Sequence, residues 1–431
     1  MRLLPIPVAR GPVHADLRLP GSKSITNRAL LAAALADGES LLEHALYSED
    51  TRIFAECLRR LGIEVIEDEA AATFRVHGRG GALDGAPAEL WVGNAGTAAR
   101  FITALLALGR GPYRVDGVPA MRKRPMAELL EILERQGARV RFEGQAGHVP
   151  FSIEGAGGLE GGEIEMEAAR TSQQASALLL VAPYARQNTK VHVTGTLVSP
   201  SYVEMTLRLM ADWGVDVVRD GPTRFTVPAG GRYTARRYGV EPDASSASYF
   251  FAAAAVTGGT VRVRGLSSRS LQGDVRFVDV LEAMGCAVER ADDWIEVRGP
   301  ERLRGVEVDM NDVSDTAPTL AAIAPFASGP VAIRNVEHMR WKETDRVLAV
   351  ATELRRMGVS VDERRDGLTI HPGPVSPAEV HTYDDHRIAM AFSVTGVRAP
   401  GIVIRDPDCV GKTFERFYDF FFGMLDGVEP A

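Results

Sequence analysis

Apolar residues along the chain follow two alternating periods. Helical spacing runs into a glycine and then gives way to strand alternation at Leu61-Gly62-Ile63-Glu64-Val65. The same phrase returns at Gln136-Gly137-Ala138-Arg139-Val140, Trp213-Gly214-Val215-Asp216-Val217, Met284-Gly285-Cys286-Ala287-Val288 and Met357-Gly358-Val359-Ser360-Val361. A glycine just past a helix suits the left-handed position that closes it, and alternating β-branched residues after it suit a strand. These glycines recur about every 71 to 77 residues, longer than a solenoid repeat but regular enough to mark internal duplication.

A second kind of segment is rich in Ala and Leu on all sides, at 27–36, 97–108, 172–184, 245–256, 316–326 and 387–397. Helices apolar all round belong in a core. Strands such as 190–193, 260–263 and 331–333 lie between the two helix types. The unit therefore reads strand, buried helix, strand, outer amphipathic helix, strand. Six such units predict an α/β protein with three per domain around buried helices, and a hinge near 232–242. The length of 431 residues independently exceeds one ordinary core.

Composition narrows the class. Hydrophobic residues at 45% and charged residues at 25% fit a globular protein. Apolar runs such as 250–256 are far short of the roughly 18 residues of a membrane span. The first 20 residues resemble neither a secretory signal nor a transit peptide, so a cytoplasmic protein without a membrane partner is expected. Cys57, Cys286 and Cys409 are dispersed and no Cys/His cluster has zinc spacing, so neither a disulfide framework nor a metal is expected. A net charge of −8 argues against nucleic acid as partner but leaves a small anion open, because a cleft can be locally positive.

The chemistry gathers where the buried helices begin. Their leaders are Gly21-Ser22-Lys23-Ser24, Gly93-Asn94-Ala95-Gly96-Thr97, Arg170-Thr171-Ser172-Gln173, Asp243-Ala244-Ser245-Ser246, Asp312-Val313-Ser314-Asp315 and Asp384-Asp385-His386-Arg387. Capping explains the Ser, Thr, Asp and Asn. It does not explain Lys23, Arg28 and Arg387, cations expected in first turns where the helix dipole disfavours them. A bound anion would compensate. Further cations cluster at Met121-Arg122-Lys123-Arg124-Pro125, at Arg340-Trp341-Lys342-Glu343-Thr344-Asp345-Arg346 and at Lys412. Gly411-Lys412-Thr413 is no nucleotide loop, since the first glycine of that motif is missing upstream.

Several of these segments, in order, resemble the 5-enolpyruvylshikimate-3-phosphate synthase family: 19–28, 93–100, 340–346, 384–387 and the region of Lys412. The resemblance implies a two-domain enolpyruvyl transferase fold of six βαβαββ units, three per domain. It places an N-terminal domain at 21–240 and a C-terminal domain at 1–20 with 241–431. It also implies transfer of the enolpyruvyl group of phosphoenolpyruvate to the 5-hydroxyl of shikimate 3-phosphate, with no cofactor, in a monomer. Carried over by position, Lys23, Ser24, Arg28, Thr171, Ser172, Gln173, Ser199, Tyr202, Asp315 and Lys342 are expected to bind shikimate 3-phosphate. Lys23, Gly96, Arg124, Gln173, Arg346, Arg387 and Lys412 are expected to bind phosphoenolpyruvate. Asp315, Glu343 and Lys23 are the expected catalytic groups. Thr171 stands where relatives often carry Ser, and His338 where many carry Asn.

This chemistry needs cations for a carboxylate and a phosphate, an acid to protonate the methylene carbon, and a base for the hydroxyl. Glu343 is the expected acid, with Asp315 and Lys23 handling the hydroxyl proton. Domain closure would exclude water. Two rivals make different predictions. The UDP-N-acetylglucosamine enolpyruvyl transferases carry a loop cysteine that 113–124 lacks, and Lys-Asn where this chain has Lys23-Ser24. A silent phosphate sensor would need cations but no acid/base pair.

Overall fold

A computed structural model describes residues 2–168 and 170–427, so the expected domain ends at 1 and 431 lie outside the described residues. Two compact units separate: one is Gly21–Val240, the other the chain on both sides of it. Among the described residues each unit carries three small sheets.

One complete repeat shows how local sequence sets the topology. It runs through strand Ala88–Trp91, helix Gly96–Leu106, strand Pro112–Asp116, helix Ala127–Arg135 and strands Arg139–Phe142 and Phe151–Glu154. The first two strands pair in parallel, which requires the buried helix as a crossover. Pro112–Asp116 then pairs antiparallel with Phe151–Glu154, which pairs antiparallel with Arg139–Phe142. The same order holds for Gly162–Met166, Thr189–Val193, Arg224–Val227 and Val218–Asp220, and for Glu307–Asp309, Val331–Arg334, Gly367–Ile370 and Val361–Arg364.

Two repeats take their first strand from a distant part of the chain. Arg237–Gly239 lies parallel to Asp37–Glu43, and His14–Leu17 parallel to Thr260–Arg264. The last repeat departs from the pattern. Ala378–His381 and Ile402–Arg405 pair in parallel, but among the described residues only Leu3–Pro5 completes that sheet, giving three strands instead of four. The chain there forms the aromatic helix Phe417–Asp426 in place of a hairpin.

Helices Lys23–Leu35, Gly96–Leu106 and Gln173–Val181 fill the centre of one unit. Ala244–Thr257, Ala317–Ile323 and His386–Arg398 fill the other. Every residue of Ala244–Thr257 except the last is buried, as an all-apolar helix requires. The expected helices at 172–184 and 316–326 both tighten to a 3-10 turn, at Ala182–Tyr184 and Ala324–Phe326. Pro183 and Pro325 lack the N–H that would continue the α ladder.

Outer helices carry a single apolar stripe. In Glu49–Arg60, Phe54, Ala55, Cys57 and Leu58 are buried while Glu56, Arg59 and Arg60 are exposed. The five glycines that close these helices have φ of 80° to 102°, a conformation costly for any residue with a Cβ. Among the described residues no helix is long and apolar enough to cross a membrane.

Candidate active site

In the unit formed by the chain outside Gly21–Val240, four short segments bring charge together. The start of helix Arg346–Arg356 gives Arg346, with Lys342 and Glu343 just before it. The start of helix His386–Arg398 gives Arg387, and the turn Pro407–Lys412 gives Lys412. Asp315 comes from the 3-10 turn Ser314–Thr316 that leads into helix Ala317–Ile323. These residues form one connected ionic cluster. Asp315 accepts from Arg387 at 2.7 Å and from Arg346 at 3.1 Å, with Lys342 at 3.8 Å. Glu343 accepts from Arg346 at 2.7 Å and lies 3.6 Å from Lys412. The side chain of Arg346 is only 2% exposed.

Burial of this kind penalises every charge, so the cluster survives only because its members compensate one another. Burial would push the Asp315 carboxyl up, but Arg387, Lys342 and Arg346 overcome it and hold the group well below the usual carboxylate range. Arg346 mirrors this. Burial works against its charge, yet Asp385, Glu343 and Asp315 hold the guanidinium above its ordinary value. His338, buried beside the cluster with Nε2 2.8 Å from the Ser314 hydroxyl, responds oppositely. Burial first, then the nearby Lys342 charge, pushes its imidazole down to about 3, so it is neutral at physiological pH.

In the Gly21–Val240 unit the predicted residues fall into smaller groups. Lys23 opens its helix and reaches Asp50 at 3.1 Å. Ser22 caps that helix through the Ile25 N–H. Because the helix begins at Lys23, four residues earlier than the expected start at 27, Arg28 lies in its second turn. The expectation that Arg28 opposes the dipole in a first turn is thereby corrected. Arg28 is buried and donates to Thr206, to Ser176 and to the carbonyls of Ser24 and Tyr202. Burial pushes its guanidinium down to about 10.

Gly96 and Arg124 are in direct contact. A Cβ at Gly96 would overlap the Arg124 guanidinium, so only glycine lets that cation lie against the helix start. Arg124 also donates to the Asn94 carbonyl at 3.2 Å. Neither Gly96–Leu106 nor Gln173–Val181 has a side chain from its own N-cap residue bonded to the first turn; Thr171 accepts from the Gln173 N–H instead. The Gln173 amide donates to Thr97 at 3.1 Å. Ser172 and Ser199 are buried, and Ser199 has φ of 48° at the start of helix Pro200–Asp212.

Three residues to which the sequence reading assigned no role hold the predicted ones. Asp50 pairs with Lys23. Arg100, buried, donates to the Gly96 carbonyl, the Gln173 side-chain oxygen and the Pro125 carbonyl. Asp385 binds Arg346. Arg100 had a signal: a charged residue inside an Ala/Leu-rich helix is seldom buried without a task. Asp50 had none, since acids are ordinary in the first turn of an exposed helix.

The geometry is that of an enzyme acting on small anions, and comparison with known proteins says which. The family profile described as EPSP synthase (3-phosphoshikimate 1-carboxyvinyltransferase) matches residues 8–421. A 3-phosphoshikimate 1-carboxyvinyltransferase of Nostoc punctiforme is 57% identical, over 99% of this chain and 100% of its own. One from Ralstonia pickettii is 45% identical, over 97% and 98%. Among solved structures, EPSP synthase from Acinetobacter baumannii superposes with a TM-score of 0.82 at 25% identity, covering 100% of this chain and 99% of that one. The chain belongs to the EPSP synthase family.

Proposed function

We propose that this protein transfers the enolpyruvyl group of phosphoenolpyruvate to the 5-hydroxyl of shikimate 3-phosphate and releases inorganic phosphate. The observation that carries this reading is the joining of Asp315 and Glu343 to Arg346, Arg387, Lys342 and Lys412 in one buried cluster. Simple anion binding needs the cations alone; two carboxylates among them suit proton transfer at both ends of an addition.

The cluster suggests how substrate starts the chemistry. Arg346, Arg387 and Lys412 are the cations for the phosphoenolpyruvate carboxylate and phosphate, and Lys23, Gly96, Arg124 and Gln173 are assigned to the same substrate. An arriving anion takes those donors from Asp315 and Glu343. A carboxylate deprived of its cations is both more basic and easier to protonate. Glu343 then gives a proton to the methylene carbon while the 5-hydroxyl adds to the adjacent carbon, and Asp315 takes the hydroxyl proton, with Lys23 assisting. The resulting ketal loses phosphate, whose leaving oxygen takes the proton that Asp315 removed from the hydroxyl, as Glu343 recovers a proton from the new methyl group. Ser24, Arg28, Thr171, Ser172, Gln173, Ser199, Tyr202, Asp315 and Lys342 hold shikimate 3-phosphate. The protein acts as a cytoplasmic monomer, as the family resemblance implies; sedimentation of a single-chain species checks the assembly state.

Phosphate release from phosphoenolpyruvate, measured with shikimate 3-phosphate and separately with UDP-N-acetylglucosamine, tests the proposal. Turnover only with shikimate 3-phosphate is the expected result. Turnover with the nucleotide sugar, or none with either, would overturn it.

A further inference from the structure

Asp385 lies at the start of helix His386–Arg398 with a fully buried carboxylate. Its Oδ2 accepts from Arg346 Nε at 2.7 Å, and its Oδ1 accepts from Arg346 Nη2 at 3.2 Å. The same Oδ1 accepts from the backbone N–H of Arg387 at 2.9 Å. One carboxylate thus holds the side chain of one arginine and the main chain of the next. It occupies the Nε edge of the Arg346 guanidinium completely. That turns the opposite edge towards Asp315, bound to Nη1, and Glu343, bound to Nη2.

Asp385 is itself held from behind. The two residues before it, Tyr383 and Asp384, both have φ of 56°, a left-handed conformation that non-glycine residues adopt at a cost. Glu353, fully buried on the helix that begins with Arg346, grips this turn. It accepts from the Tyr383 hydroxyl at 2.6 Å and from the His381 N–H at 3.1 Å. Helix and turn are therefore joined twice, once through Arg346 and Asp385 and once through Glu353 and Tyr383.

We propose that Asp385 is a positioning residue that sets the angle and spacing of Arg346 and Arg387 for a carboxylate or phosphate oxyanion. Glu353 and Tyr383 hold the strained turn that keeps Asp385 in place. The inference rests on the reading above that these two arginines receive phosphoenolpyruvate. A planar guanidinium recognises an oxyanion through a fixed fork, so a change in its tilt weakens the fit even with the charge intact.

The test is Asp385→Asn, which keeps an acceptor for the Arg387 N–H and removes the carboxylate pair with Arg346. Tyr383→Phe serves as a milder second variant that leaves Asp385 untouched. Misaligned arginines should raise KM for phosphoenolpyruvate by about tenfold or more in Asp385→Asn, with KM for shikimate 3-phosphate within about twofold. Tyr383→Phe should raise the same KM by a smaller factor. Calorimetric titration of phosphoenolpyruvate alone gives the same comparison if turnover with shikimate 3-phosphate is absent in the parent, which separates failure of the functional reading from failure of this one. A lowered melting temperature with parental KM and affinity for phosphoenolpyruvate in both variants would overturn the positioning role. If Asp385→Asn does not fold, parental values in Tyr383→Phe alone overturn it.

Discussion

Glu343→Gln separates two roles that the cluster allows for this side chain. Glu343 is 8% exposed and accepts from Arg346 at 2.7 Å, with Lys412 at 3.6 Å. Gln preserves the shape and one acceptor but removes the charge and the transferable proton. The lost charge-assisted hydrogen bond contributes about 1.5–3 kcal/mol, part of which returns because a carboxylate no longer has to be desolvated. The variant should therefore fold. Its kcat should fall by about 10²–10⁴-fold, the usual contribution of a positioned general acid. Affinity should move the other way. A unit charge at about 4 Å from a cation contributes about 4 kcal/mol at an effective dielectric of 20, and Glu343 no longer competes for Arg346 and Lys412. KM for phosphoenolpyruvate should stay level or fall. Steady-state phosphate release measures both constants, and deuterium entry from D2O into the phosphoenolpyruvate methylene reports the proton transfer directly. A kcat within about tenfold of the parent would exclude Glu343 as the acid. Preserved kcat with a raised KM would make it a holder of Arg346 instead.

The remaining expectations concern charge balance, proton linkage and shape. Asp315→Asn should lose about 3 kcal/mol of stability in denaturant titrations at pH 7, because three cations keep their positions without their shared carboxylate. The Asp315 carboxyl is depressed in the folded state, so its contribution is present above the unfolded value near 4 and lost as pH falls further. The parent should thus shed more stability than the variant in strong acid. His338, held at about 3 against an ordinary 6.5, contributes stability that is complete above pH 6.5 and lost as pH falls towards 3. Between pH 6.5 and 5 that loss is about 2 kcal/mol, and His338→Asn should abolish it in unfolding curves at the two pH values. Gly96→Ala should displace the Arg124 guanidinium and raise KM for phosphoenolpyruvate by about tenfold while sparing KM for shikimate 3-phosphate, as initial-rate kinetics will show.

What could be read without coordinates follows the range of the interactions involved. The repeats were legible because a closing glycine and the alternation after it are local, and so were the six buried helices. The strands Arg237–Gly239 and His14–Leu17 were not, since pairing with Asp37–Glu43 and Thr260–Arg264 is decided by chain return, not by local pattern. Arg28 was misplaced by a turn because Lys23, Ser24, Thr26 and Asn27 hid the true start of its helix. At the site, cations stood out because capping could not account for them. Their partners did not: Asp50 lies 27 residues from Lys23, and Asp385 lies 39 residues from Arg346. That asymmetry has a chemical reason. A cation needed for an anionic substrate must also be tolerated without it, and the cluster meets this demand with carboxylates of two kinds. Asp385 is fully buried and bound through both oxygens, so it serves as a fixed counter-ion. Asp315 and Glu343 share Arg346, Arg387, Lys342 and Lys412, and under the proposed function an incoming anion would claim those cations and release both acids. A sequence motif can name both kinds of acid, but only the hydrogen bonds distinguish the one that is bound through both oxygens to a single guanidinium from the two that share their cations.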